Sequence, residues 1–289
     1  MRKKCILIGT AAVFLLLNSL FSYAEDRITW TVLDFPPVHI WDGPYAGKGY
    51  ADFVMQLLVS SLDGYRHEFL KCNMARSVKM FREQEKVAHP AILKKDDRDS
   101  YIEFSIPAYV LIPNGVIIPK HQADKLRPYI NDDGAFLLEK AIALSDLKVG
   151  VSVERAYGGV IDEILMKYKN HKNICVSPYE ELLKNLFKMM KIGRIDYIIG
   201  YPIEAEYFSK NLGIIENIIC LPIEGMPEYF LGYIGLPKNE WGKTAVKKIN
   251  SVLKSSRNTP EYHAAYEFWL HENSIKRYRK YAEKVYGGF

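Results

Sequence analysis

Residues 177–199 read SPYEELLKNLFKMMKIGRIDYII, a helix and a strand in immediate succession. Ser177 supplies an N-cap oxygen, Pro178 takes the first helical position and Glu180 the third, an arrangement that satisfies amide groups left open at a helix start. Leu182, Leu183, Leu186 and Met190 recur on one face, and Gly193 stops the helix. Ile195 to Ile199 is then an apolar run of strand length. The same alternation extends outward in both directions. Val149-Gly150-Val151 leads into a helix with Val160, Ile161, Ile164, Leu165 and Tyr168 on one face. Ile28 to Leu33 reads as a strand, and Tyr50, Phe53, Val54, Leu57 and Leu58 follow at helical spacing. Asn73 caps a helix to about Gln84, Val87 to Leu93 is another strand, and Thr259-Pro260-Glu261 opens a mainly helical C-terminus. Strands alternating with helices predict an α/β chain with largely parallel sheets and right-handed crossovers.

Two apolar runs in the middle, Tyr109 to Pro119 and Tyr229 to Pro237, are placed to cross between lobes, and a chain that leaves one lobe and returns needs two crossings. The expected division is residues 25–110 with 231–289 as lobe one and 111–230 as lobe two. Residues 1–24 carry a charged start, an apolar stretch from Ile6 to Leu17 and Ser22-Tyr23-Ala24, the pattern of a secretory signal peptide cleaved before Glu25. The mature chain is therefore expected in an exported, periplasmic compartment.

Composition is that of an ordinary globular protein, with 48% hydrophobic and 25% charged residues among 289, which excludes collagenous, coiled-coil and disordered classes. Without Arg2, Lys3 and Lys4 the chain has 36 basic residues against 34 acidic ones, a net charge of +2 that gives no basis for nucleic-acid binding. The basic run Lys276, Arg277, Arg279, Lys280 reads as a solvated helix face. Cys72, Cys175 and Cys220 permit at most one disulfide in the mature chain, and Cys175 and Cys220 suit buried thiols as well as a bridge.

Catalytic and metal signatures are missing: no Walker loop, no G-x-S-x-G elbow, no H-E-x-x-H and no C-x-x-C. The seven histidines, at 39, 67, 89, 121, 171, 263 and 271, form no pair at helical ligand spacing, so they are read as surface or packing residues and no metal or cofactor is expected. Asp96-Asp97 and Asp132-Asp133 lie in polar, turn-like stretches. The chain reads as a binder more than a catalyst.

The stretch from Asp96 to Tyr109, DDRDSYIEFSIPAY, resembles the signature of family 3 extracellular solute-binding proteins, in which an arginine precedes a Phe-Ser-x-Pro-x-Tyr-like segment by six residues. Asp34-Phe35-Pro36-Pro37 is similar to the early binding loop of that family. Gly43 with Gly47-Lys48-Gly49-Tyr50-Ala51-Asp52 is similar to the turn and helix start that follow it. Leu147 to Val151, Gly193 to Tyr197 and Tyr233 to Lys238 resemble its later strands and the return crossing. The resemblance implies a type II periplasmic binding protein: two α/β lobes joined by two crossing strands that act as a hinge, with the ligand in the cleft.

It also implies a site. Arg98 stands where the family grips a ligand carboxylate, and a guanidinium fork matches two carboxylate oxygens; the other reading is a surface arginine paired with Asp96 or Asp99. Arg155 falls where second-lobe hydroxyls are common and offers a second anion clamp or a surface cation. Arg76, in the first turn of its helix, offers another from lobe one. Tyr201 occupies the place of the aspartate that holds a ligand ammonium in amino-acid binders, which disfavours an ordinary α-amino acid, with Glu204 or Glu206 as replacements for the lost charge. Phe35, Trp41, Tyr157 and Tyr201 are candidate aromatic walls, and Tyr109 reads as core. The expected function is capture of a small anionic solute by a monomer for the permease of an ABC transporter. The alternatives are a dehydratase-like enzyme, with Glu154, Glu204 and Glu206 as its only candidate acids or bases, and a sensing module for a signalling protein.

Overall fold

The computed structural model describes residues 26–94, 97–152, 155–177, 182–213 and 218–287. The signal-peptide segment, the Pro178 to Glu180 helix start, Asp96 and Glu154 lie outside them.

Two sheets build the molecule. The first contains β1 (Asp26–Val32), β2 (Tyr65–Lys71), β3 (Val87–Leu93), β4 (Ile102–Phe104), β5 (Tyr109–Leu111) and β11 (Phe230–Pro237), in the order β2-β1-β3-β11-β4 with β5 also paired to β11. β1 runs parallel to β2 and β3, while β11 enters antiparallel between β3 and β4. The second contains β6 (Gly115–Pro119), β7 (Val149–Ser152), β8 (Ile174–Ser177), β9 (Tyr197–Gly200) and β10 (Ile218–Pro222), in the order β10-β6-β9-β7-β8. β7 is parallel to both its neighbours. The architecture is two α/β lobes, one built on each sheet.

Helices α1 (Tyr50–Ser61) and α2 (Met74–Arg82) pack on the first sheet, α3 (Leu138–Leu144), α4 (Gly159–Lys167) and α5 (Leu182–Lys191) on the second. Asn73 caps α2 by accepting from the Arg76 amide at 3.0 Å. α6 (Pro202–Leu212) belongs to the second sheet, but its Tyr207 ring lies 5.5 Å from Trp269, just past the C-terminal end of α8. α7 (Glu240–Ser256), α8 (Pro260–Glu267) and α9 (Glu272–Tyr286) return to the first sheet. There Ile28, Trp30, Leu58, Ile249 and Trp269 are fully buried in one core, and Val149, Tyr197, Phe136 and Ile161 centre a second core. Among the described residues no helix is long and apolar enough to cross a membrane. Cys72, Cys175 and Cys220 are free thiols.

The sheets divide at residues 112–114 and again at 223–229. The run from Tyr109 to Pro119 crosses as β5 and β6, whereas Tyr229 to Pro237 lies with the first sheet as β11, and residues 223–229 make the second crossing. Ile112 N–H donates to Tyr266 Oη of lobe one at 3.0 Å. Asn114 Nδ2 donates to the Tyr157 carbonyl of lobe two at 2.8 Å.

Candidate functional site

Open parallel sheets present their loops at the C-terminal ends of the strands, and a ligand crevice forms where neighbouring connections leave in opposite directions. Here β1 leads to Phe35, β3 to Arg98, β7 to Arg155 and β9 to Tyr201, so the lobes meet with their strand ends facing one gap. A cavity of about 420 Å³ fills that gap, within the range of small-molecule sites.

Lobe one supplies most of its wall: Phe35, Val38 and His39 after β1, Tyr50 of α1, Met74 of α2, His89 and Ala91 to Leu93 of β3, Arg98, and the buried Tyr109 and Tyr266. Lobe two contributes Ala156, Tyr201 and Ile203. Arg98 is half-buried, and the one hydrogen bond of its guanidinium among the described residues runs from Nη1 to the Leu93 carbonyl at 2.7 Å. Within the described lining, Arg98 is the one Arg or Lys and there is no Asp or Glu.

The loop after β1 is organised by Asp52 of α1, which is buried. Its Oδ1 lies 2.6 Å from His39 Nδ1, and its Oδ2 accepts the amides of Ile40 at 3.0 Å and Gly49 at 2.9 Å. Gly49 has no side chain because a Cβ there would strike the Val38 carbonyl. One carboxylate therefore ties helix, turn and binding loop together.

On lobe two, Arg155 is committed elsewhere. Its guanidinium donates to Glu204 at 2.9 and 2.6 Å and to Asn114 Oδ1 at 3.3 Å. The pair is buried, with side chains 9% and 2% exposed, so Arg155 is not a free anion clamp and Glu204 is not a free acceptor for an ammonium. Burial opposes the charge of Arg155, but Glu204 outweighs it and the guanidinium pKa rises. The cation lies 5.1 Å from the Tyr157 ring and 5.4 Å from that of Tyr201. Glu204 also accepts the Tyr201 amide at 3.0 Å, which fixes the start of α6.

Of the residues singled out in the sequence, Arg98, Phe35 and Tyr201 line the cavity and Arg155 sits behind its lobe-two wall. Tyr157 lies outside the lining, buried in the lobe-two core with its hydroxyl accepting the Ser152 amide at 2.7 Å. Arg76 is an exposed residue of α2, and Trp41 is an exposed loop residue outside the cavity lining, with Lys71 Nζ 5.2 Å from its ring. Tyr109 is core and cavity floor at once, its hydroxyl donating to the Pro90 carbonyl at 2.9 Å. Glu206 pairs with Lys210 at 3.3 Å.

His39 and His89 are wall residues that spacing rules passed over, because fifty residues separate them in sequence. A signal existed: each lies within ten residues of a quoted landmark, His39 after Phe35-Pro36-Pro37 and His89 ahead of Arg98. Burial, with His39 and the Arg98 guanidinium nearby opposing a further positive charge, lowers the His89 pKa to about 3.

No protein-family profile and no curated protein sequence matches the chain. Solved structures do. An ancestral cationic amino acid solute-binding protein superposes with a TM-score of 0.64 at 16% identity, covering 86% of this chain and 96% of that one. Substrate-binding domain 2 of Lactococcus lactis GlnP, in an open conformation, gives 0.59 at 13% identity, covering 86% and 96%. A histidine kinase sensor domain with similarity to periplasmic binding proteins gives 0.55 at 14% identity, covering 85% and 96%. The fold is thus the one that these binding proteins and the sensor domain share.

Proposed function

We propose that this protein is an exported solute-binding protein that captures a small organic anion, most simply a carboxylate, between its lobes for the permease of an ABC transporter. The observation that carries this reading is Arg98, a cation in the cavity wall bonded to one backbone carbonyl, in a described lining that holds no acid. The charge and most of the donors of a planar fork remain for a ligand. Arg155 is neutralised by Glu204, so the wall's net positive charge belongs to Arg98. An α-amino acid would bring an ammonium for which the described lining offers no carboxylate, and an unpaired buried charge costs several kcal/mol.

Binding without turnover fits better than a dehydratase, since Glu204 and Glu206 are both held in ion pairs. A second reading, the same capture serving a signalling partner, is favoured by the likeness to a kinase sensor domain. Either partner would read hinge closure over the ligand.

Isothermal titration of the mature chain with a panel of small carboxylates tests the reading. One ligand per chain and no product are expected. Arg98→Ala should weaken binding about tenfold to a hundredfold, the scale of hydrogen bonds to a charged group, while the unliganded melting temperature stays within a degree or two. Equal affinity in Arg98→Ala would overturn it.

A further inference from the structure

Two imidazoles in the cavity wall are only half used by the protein. His89 of β3 and His39 of the following-β1 loop are both buried, 2% and 1% exposed. His89 Nδ1 accepts the Ala91 amide at 3.2 Å, so in the neutral ring the hydrogen sits on Nε2, which is a donor. His39 Nδ1 faces Asp52 Oδ1 at 2.6 Å, and Asp52 is already an acceptor for two backbone amides, so His39 Nδ1 donates and its neutral ring leaves a lone pair on Nε2. Among the described residues neither Nε2 has a hydrogen-bond partner. Buried polar atoms left this way are rare and call for an explanation.

The rest of the wall sets the context. Arg98 stands close enough to His89 for its charge to contribute to the lowered His89 pKa. Leu33, Val38, Ile92, Leu111, Ile112 and Ile203 make the surroundings apolar. A ligand held by its carboxylate at Arg98 would bring its neighbouring atoms toward one unused donor and one unused acceptor.

We propose that His39 and His89 read a neutral oxygen beside the ligand carboxylate, so that the cleft takes hydroxy or oxo acids with an apolar body in preference to amino acids. The inference rests on the carboxylate reading above and deepens it. A hydroxyl accepts from His89 Nε2–H and donates to His39 Nε2, and a carbonyl accepts from His89. An ammonium has no lone pair for the His89 hydrogen and adds its charge to that of Arg98. An acid with a bare methylene at that place leaves both nitrogens unpaired, and a site built to hydrogen-bond a ligand group discriminates strongly against the analogue that lacks it.

Two matched series test this by titration calorimetry on the mature chain: isocaproate, hydroxyisocaproate, ketoisocaproate and leucine, then phenylpropionate, phenyllactate, phenylpyruvate and phenylalanine. In at least one series the hydroxy or oxo acid should bind about tenfold or more tighter than the unsubstituted acid, with the amino acid weakest. His89→Leu should erase that preference, and His89→Gln, which retains an N–H donor, should keep part of it. Should His89→Leu fold poorly, the wild-type series decides alone. Equal affinity of substituted and unsubstituted acids, or tightest binding of the amino acid, overturns the role of the histidines and leaves the carboxylate reading standing. Binding by none of the eight compounds overturns the carboxylate reading itself.

Discussion

Replacing Glu204 by Gln isolates the buried ion pair of lobe two. The wild-type carboxylate receives two guanidinium bonds, at 2.9 and 2.6 Å, and the Tyr201 amide at 3.0 Å. With both side chains less than a tenth exposed, solvent screening is slight and Arg155 would be left as an uncompensated buried cation. Breaking such a pair from one side costs about 3–5 kcal/mol. For a chain of this size each kcal/mol moves the melting temperature by about 2–4 °C, so Glu204→Gln should melt roughly 6–20 °C lower by calorimetry. The double variant Arg155→Met, Glu204→Leu removes both charges and should recover most of that loss, because the attraction within a buried pair mainly offsets the cost of desolvating it. A Glu204→Gln protein destabilised by less than about 1 kcal/mol would behave as a surface pair does, and the account of why Arg155 is unavailable to the ligand would fail.

Three further outcomes are expected. Burial, aided by the neighbouring His39 and Arg98, holds native His89 near a pKa of 3 against about 6.5 unfolded, so between these values the unfolded chain binds the extra proton and stability falls as pH drops. Around pH 5 the wild type should lose up to about 1.4 kcal/mol per pH unit more than His89→Leu in urea titrations, with the full contribution present above about pH 6.5; parallel curves would contradict this. Asp52→Ala leaves two buried amides and His39 Nδ1 without their acceptor, and should cost about 2–4 kcal/mol and loosen the loop from Phe35 to Gly49, seen as faster amide exchange there than in β7. Gly115→Ala drives a methyl group into the Leu221 backbone across the β6–β10 pair, so a loss of about 1–3 kcal/mol is expected in denaturant melts.

Much of the architecture was legible because its signals are local. The strand at Val87 to Leu93 and the helix behind Asn73 follow from apolar periodicity and one cap, and both stand where those signals put them. β2, Tyr65 to Lys71, escaped because an edge strand carries charged residues such as Arg66, Glu68 and Lys71 between its apolar ones. The lining of the candidate cavity was legible where it follows a strand end in an expected motif, as for Arg98, Phe35 and Tyr201. It was not legible where a partner distant in sequence decides what a side chain does. Arg155 looks like a free cation until Glu204, forty-nine residues on, is brought against it. His39 and His89 look like packing until β1 and β3 lie side by side and put both at one wall.

The first crossing between lobes is tethered at both ends, through the Ile112 amide to Tyr266 and through the Asn114 side chain to Tyr157. Pro113 alone separates the tethers, and its ring immobilises one of the two soft backbone torsions that a residue normally has. The short link between the halves therefore has few soft torsions, and the longer one runs through residues 223–229. In the proposed closure such a pivot would forfeit little disorder, and a partner docked on the outside would sense one angular change across both halves at once.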